Sequence, residues 1–509
     1  MPIRKQINLK IMTEQIISKM VNNSIEDILK RLKEFQKWIP CTWDETMDEI
    51  RKDCKDLRGY LCKCDAKLLK NVVTSAIHSF FRLMRCDQTD LQLLVGRKLT
   101  SMRYTCLCIL GSIFIPCFPQ VDLRDCDEFS LGLVIENFPM ICSIQELILP
   151  RFIESTFLLE DKIAVLRNLR KLTYNSSCTN QILSTVARFC PQLTYIDVSY
   201  SSQVDDSSVN NICQLPSLTV LYITKTSITL SGYGNILQNL PGLRNFSWKM
   251  PIDELMRDLP CQITNKFHCV DAKIESANML CARCPNIMKL SITNIGIRID
   301  LSILSRLRHL KYLCIYNFNF LTSKFGCLLQ QSGQNLETLL IRSVVKVDFG
   351  TIVNNCSNLK SLLLRGCKFN TSSLVNKEDS SPHFKNLRLL ELNSNFGVEN
   401  FYNYIELYEN IEEFHIANID EFHDYFIINL VVKEVFKNLH TFYAIWCPLT
   451  QKTADFLIDN CDKLTTLGCL SLWEIGCHGI ENLKTKVRNN NLGVTLDGDM
   501  SKTYSLDRF

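Results

Sequence analysis

The chain has 509 residues, roughly three to four times the length of a usual domain, so it holds either several domains or one architecture that grows by repetition. It is 46% hydrophobic and 22% charged with a net charge of +4, an ordinary soluble composition that predicts no polyelectrolyte partner. Residues 1–117 carry 20 Lys and Arg against 13 Asp and Glu, and this basic excess is read as a solvated helical face, with no nucleic-acid or lipid partner expected.

At the N-terminus, Lys10, Glu14 and Gln15 interrupt any apolar core of signal-peptide length, so the expectation is a cytoplasmic or nuclear protein. Helices are expected over about 13–38, with a break near Asn22-Asn23, a cap at Ser24 with Asp27 and an end at Pro40. Further helices are expected over 43–54, 57–85 and 90–113. The apolar run from Tyr104 to Phe118 is too short to span a membrane and ends near Pro116, which makes it a buried segment, and no membrane partner is expected.

From Phe118 onward a loose LxxLxL frame, apolar at its first, fourth and sixth residues, repeats to the C-terminus. Frames begin at Phe118, Ile144, Leu169, Leu193, Leu218, Leu243, Thr264, Ile287, Leu310, Leu336, Leu359, Leu387, Ile411, Leu439, Leu464 and Asn491. The mean spacing is about 25 residues, the length of one strand–turn–helix unit. Apolar residues at helical spacing follow each frame, as in the stretch from Val204 to Leu215. No such unit can bury its apolar face alone, but stacked neighbours build one continuous core. The expected organisation is therefore a helical region over 1–117 that covers the first end of the stack, a solenoid of about 15–16 repeats over 118–500, and a tail over 501–509.

The frame accounts for many of the 25 cysteines without any chemistry. Cys190, Cys284, Cys356 and Cys461 stand three residues before a frame, where other repeats place Leu166, Leu215, Leu240 or Leu307, so the thiol serves as a small inward hydrophobe. Cys126, Cys367 and Cys447 fall three residues after a frame, in the turn from strand to helix. An odd cysteine count with no export signal predicts reduced thiols.

In CPQLTYIDVSYSSQVDDSSVNNI (190–212) and CSNLKSLLLRGCKFNTSSL (356–374) the chain resembles the cysteine-containing subtype of leucine-rich repeat, with weaker matches over about three quarters of its length. The resemblance implies an α/β fold, a ribonuclease-inhibitor-like horseshoe whose strands line a concave face. Proteins with this repeat are most often F-box/leucine-rich-repeat proteins, substrate receptors of SCF ubiquitin ligases acting in proteasomal degradation, and the chain resembles them. That family implies a helical F-box docked on the Skp adaptor and cullin, and a protein substrate on the concave face. Residues 1–117 contain neither the Leu-Pro-x-Glu nor the Val-Cys-x-x-Trp stretch of an F-box, and the nearest run is Ser24 to Lys33. The alternative is a leucine-rich-repeat scaffold or regulator with no ligase link.

On the expected concave face, the residue after each frame is Tyr316, Arg342, Arg365 and Asn393 in four successive repeats. The residue between the last two frame positions is Leu340, Leu363, Glu391, His415 and Tyr443. Arginines on neighbouring strands repel unless something negative lies between them, so Arg342 and Arg365 are either screened by Glu391, Glu337 or solvent, or form a bidentate anion-recognising patch. Tyr443, Ile445 and Trp446 form a second concave group, either an exposed interaction patch or a Trp446 folded over its turn into the core. His415 and His423 among Glu412, Glu413, Asp420, Glu421 and Asp424 read as solvated charge.

Neither Cys281 and Cys284 with Cys261 and Cys269, nor Cys41, Cys54, Cys62 and Cys64, match a common zinc module, and no metal or cofactor is expected. No P-loop, GxGxxG or HExxH is present, and no histidine stands in a nucleophile motif, so no catalytic residue is expected.

Overall fold

The computed structural model describes residues 9–497 apart from 36–42, 64–71, 74, 78, 81–96, 114–119, 125, 152–155, 297, 371–383, 395–404, 406–407, 409 and 491. The chain divides into two compact units, residues 5–247 and residues 248 onward. The first unit opens with helices, and from residue 120 onward both are built from the leucine-rich-repeat unit, one short strand followed by a turn and a helical segment.

In the first unit, helix α1 (Leu9–Phe35) runs without a break through Asn22, Asn23 and Ser24. Ser24 is not a cap: its Oγ donates to the Met20 carbonyl 3.0 Å away, one turn back in the same helix. The buried residues Val21, Ile25, Ile28 and Leu29 explain the continuity, because their spacing carries one apolar stripe across the polar triplet. Helix α2 (Trp43–Leu61) likewise continues past the expected end at 54, with Met47, Ile50, Cys54, Leu57 and Leu61 buried along one side. Helix α3 (Arg97–Ile113) buries Cys106, Ile109, Leu110 and Ile113, leaves Tyr104 exposed, and packs on the first repeat helix, Glu128–Glu136. The expected ends at Pro40 and Phe118, the start at 90, and the tail over 501–509 lie outside the described residues.

Six parallel strands follow in chain order: β1 (Gln120–Asp122), β2 (Glu146–Ile148), β3 (Lys171–Thr173), β4 (Tyr195–Asp197), β5 (Val220–Tyr222) and β6 (Asn245–Pro251). Each pairs with the next at the same frame position, for example Leu172 with Ile196 and Ile196 with Leu221.

The second unit continues with β7 (Cys269–Lys273), β8 (Lys289–Thr293), β9 (Tyr312–Tyr316), β10 (Thr338–Arg342), β11 (Val345–Val347), β12 (Ser361–Arg365), β13 (Lys368–Phe369), β14 (Leu389–Asn393), β15 (Glu413–Ala417), β16 (Thr441–Ile445), β17 (Thr466–Gly468) and β18 (Thr495–Asp497). All but β11 and β13 form one parallel ladder, and those two pair with each other beside it. Two frames are out of register with the sequence reading. Val270 pairs with Leu290, so the repeat at Thr264 is framed by the buried Phe267, Val270 and Ala272, three residues later. At the C-terminal end Leu496 pairs with Leu467, which moves the last frame from Asn491 to 493.

Three repeating devices tie neighbouring repeats together. Leucines at the frame positions, such as Leu359, Leu362 and Leu364, are fully buried, and Cys190, Cys284, Cys356 and Cys461 are buried with them. Asparagines just before the frame hydrogen-bond to the previous repeat: Asn358 Nδ2 donates to the Gln334 carbonyl at 2.9 Å, and Asn410 Nδ2 to that of Lys385 at 2.9 Å. The third device is a left-handed residue two positions beyond the frame, found at Ser176, Tyr200, Lys225, Asn317, Ser343, Gly366, Ser394, Asn418 and Trp446. Its N–H extends the ladder by one rung, as Ser343 donates to the Arg365 carbonyl at 2.8 Å and Gly366 to that of Asn393 at 2.7 Å. Cys367, in the same turn, gives its thiol proton to the Ile341 carbonyl of the previous repeat, 3.4 Å away.

Candidate functional site

Alternation along a strand places the frame leucines on one face of the sheet and the residue between them on the other. Parallel register then lines those intervening residues up into a row. Across β9, β10, β12, β14, β15, β16 and β17 the row reads Cys314, Leu340, Leu363, Glu391, His415, Tyr443 and Gly468. Its first half is apolar and buried, with Tyr316 and Leu389 packed against it. Leu340 and Leu363 are therefore core residues of this face. At Glu391 the row turns polar.

Next to this row, the residues after the frame pair across strands as Tyr316 with Arg342, Arg342 with Arg365, and Arg365 with Asn393. The two arginines differ in their surroundings. Arg365 reaches diagonally to β14 and binds Glu391 in a fork, Nε to Oε1 at 2.6 Å and Nη2 to Oε2 at 3.0 Å. The two side chains are only 11% and 10% exposed, so this pair is held in a largely dry setting. Arg342 is exposed, and Tyr316 and Asn393 are half-buried. Glu337 faces other partners, with Lys311 Nζ at 2.7 Å and Lys360 Nζ at 2.8 Å; these two ammonium groups hold its carboxyl well below the usual range.

His415 departs most from the sequence reading. It is 6% exposed, and its ring meets that of Tyr443 edge-on at 5.0 Å. Neither Nδ1 nor Nε2 has a hydrogen-bond partner, and the nearest carboxylate oxygen, Oε2 of Glu413, is 3.8 Å from Nε2. Burial, reinforced by the positive charge of Arg365, lowers its pKa to about 4, so the imidazole is neutral at physiological pH. The solvated charge expected at this position is absent because strands on both sides cover it.

A small open pocket of about 30 Å³ lies over these groups, lined by Arg365, Glu391, Asn393, His415, Tyr443 and Ile445 among others. Tyr443 is half-buried against Gly468, and Ile445 is buried with Ala417 and Cys469, so Ile445 is not part of an exposed patch. Trp446 is 61% exposed and takes the left-handed conformation (φ 52°) that closes β16; it does not fold into the core. The structure thus brings Arg365, Glu391, Asn393, His415 and Tyr443 into one pocket, with Trp446 next in the chain beyond Ile445 and Tyr316 and Arg342 along the neighbouring strands.

No protein-family profile matches the chain, and no curated protein matches it. Among solved structures it is similar to an internalin from Listeria monocytogenes (17% identity, 66% of this chain and 88% of that one, TM-score 0.33). It is also similar to yeast Rad7 in its complex with Elc1 (15% identity, 82% and 98% covered, TM-score 0.38). A third is the leucine-rich-repeat protein LIC12759 of Leptospira interrogans (15% identity, 80% and 94% covered, TM-score 0.30).

Cys281 and Cys284 are used in packing. Cys281 gives its thiol proton to the Ile303 carbonyl at 3.5 Å, while Cys284 lies against the Met256 sulfur at 3.6 Å, so the two point to different neighbours. Burial pushes Cys284 and Cys356 up to about 12, well away from the thiolate needed for a nucleophile or ligand. Among the described residues no group of three or more His, Cys, Asp or Glu side chains converges on a metal-sized site. Cys41 and Cys64 lie outside the described residues. No described helix is long and apolar enough to cross a membrane.

Proposed function

We propose that the chain is a non-enzymatic protein-binding solenoid that recognises its partner on the sheet face from Tyr316 to Trp446. The observation that carries this reading is Trp446. The left-handed turn recurs at the equivalent position of other repeats, filled there by serine, lysine, asparagine or glycine, so the fold accounts for the turn, while an indole left 61% exposed in it is accounted for by a contact surface. Tryptophan, tyrosine and arginine are the residues enriched at energetic centres of interfaces, and Trp446, Tyr443, Arg342 and Tyr316 supply them on this face. Asn393 and His415 add polar specificity, and the pair of Arg365 with Glu391 fixes the shape of the pocket.

The specific form we favour is the substrate-recognition subunit of an SCF-type ubiquitin ligase, joined to the Skp adaptor and cullin through the N-terminal helices. The cysteine-containing repeat supports it, as do Ile16 and Met20, exposed one turn apart on α1 where an adaptor could cover them. The test is co-purification of the full-length protein with the Skp adaptor and cullin. Retention that Ile16→Glu with Met20→Glu abolishes supports the ligase reading. Failure of the wild-type chain to retain either subunit leaves a leucine-rich-repeat scaffold or regulator.

A further inference from the structure

Resting on the partner-binding reading, we propose that the pocket beside His415 is a specificity site for a primary carboxamide, the side chain of an asparagine or glutamine in an extended segment of the partner. The imidazole is buried with both nitrogens unmatched, which in a settled protein core is rare and points to a group supplied from outside. The pocket that opens over it holds about 30 Å³, the room of two or three water-sized groups and hence of the three heavy atoms of a carboxamide.

The chemistry of the lining selects among candidates. A neutral imidazole offers one N–H and one bare lone pair, so its complement must both donate and accept. A carboxylate or phosphate only accepts, and it would have to compete with Glu391 for Arg365, placing two anions side by side where water is scarce. An ammonium or guanidinium only donates and would face the Arg365 charge. An apolar side chain leaves both nitrogens unmatched. A hydroxyl donates and accepts but fills only one of the water-sized places. The carboxamide fills the space, gives N–H to the bare imidazole nitrogen or a Glu391 oxygen, and carries no charge to upset the Arg365 pair. Glu413 Oε2, 3.8 Å from Nε2, is too far to hold the ring proton, so both nitrogens are left for the ligand.

The experiment is selection of a random displayed-peptide library on the full-length protein, followed by affinity measurement on the enriched peptides. We expect an Asn or Gln at one aligned position. Its replacement by Asp or Leu should weaken binding at least about tenfold, because a site built to hydrogen-bond rejects analogues that lack the group. The His415→Phe variant, which keeps the ring against Tyr443, should lose the same factor. Uniformly ¹⁵N-histidine-labelled wild-type protein provides a second readout that needs no variant: bound peptide should shift the imidazole nitrogens of His415. Peptides that bind but lack an aligned carboxamide, or that leave His415 unmoved, overturn the pocket assignment while the protein-binding reading stands. A library that yields no binder at all overturns both.

Discussion

The ring of Tyr443 lies against the backbone of Gly468 on the next strand, so close that a Cβ at 468 would stand 2.0 Å from the ring's Cε1. Glycine is needed here for space, since any side chain would lift Tyr443 off the sheet and away from His415. Gly468→Ala should cost about 1–3 kcal/mol in urea unfolding by overpacking. Tyr443→Ala in the same background should recover most of that loss. Two additive losses would show that the contact is not what makes position 468 a glycine.

Arg365 and Glu391 form a pair whose halves depend on each other. Removing one partner leaves a charge nine-tenths buried without its counterpart, and Glu391→Leu or Arg365→Met alone should cost about 3–5 kcal/mol. The double variant should be much closer to wild type, because both charges leave together. A double-mutant cycle by chemical denaturation measures the coupling, and a coupling near zero would place the pair effectively in solvent.

His415 gives the stability a signature in acid. Its folded pKa of about 4 lies below the ordinary value of 6.5, so only the unfolded chain takes up the proton between these values. Stability should therefore fall as pH drops from about 6.5 to 4, by on the order of 3 kcal/mol, and show no further loss from this group below that. His415→Phe should remove this component of the pH profile. Parallel profiles for the two proteins would contradict the buried neutral imidazole.

Thiol reactivity should follow burial. Cys142, Cys261 and Cys327 are exposed, whereas burial raises Cys190 and Cys356 to about 12. Iodoacetamide at mildly alkaline pH should alkylate the first group long before the second, as read by peptide mass spectrometry of the native protein. Rapid labelling of Cys356 would mean that the repeat interior opens on that timescale.

Much of this was legible because the repeat is written in spacing. Leu359, Leu362 and Leu364 announce a strand by themselves, and the register with Leu387 follows from counting. Where a repeat carries Ala272 at its last frame position the signal thins, and the spacing alone points to Thr264 for a start that belongs to Phe267. The breaks expected at Asn22-Asn23 and at 54–57 came from local propensity, which the continuous apolar stripes of α1 and α2 outweigh. Site residues could be named from their place in the frame, but their environments could not. Whether His415 is wet or dry depends on Glu391 and Tyr443, on strands 24 and 28 residues away in the chain. The fork between Arg365 and Glu391 is diagonal, and a list of same-position residues does not display diagonals. The left-handed turns were hidden almost entirely: only Gly366, Asn317 and Asn418 are residue types that favour φ > 0, whereas Tyr200, Lys225 and Trp446 are not.

Those turns give the stack a direction. At non-glycine positions such as Ser176, Tyr200 and Ser343 the left-handed turn costs about 1–2 kcal/mol within its own repeat, and the hydrogen bond that offsets it ends on a carbonyl of the following one. When the following repeat detaches, the turn before it keeps its strain and loses its acceptor. When the preceding repeat detaches, what is exposed is a carbonyl that water satisfies at no conformational cost. Within each unit, then, cooperativity is polar: fraying that begins at a C-terminal repeat destabilises its neighbour more than fraying that begins at an N-terminal one, and the units come apart as zippers with a preferred end.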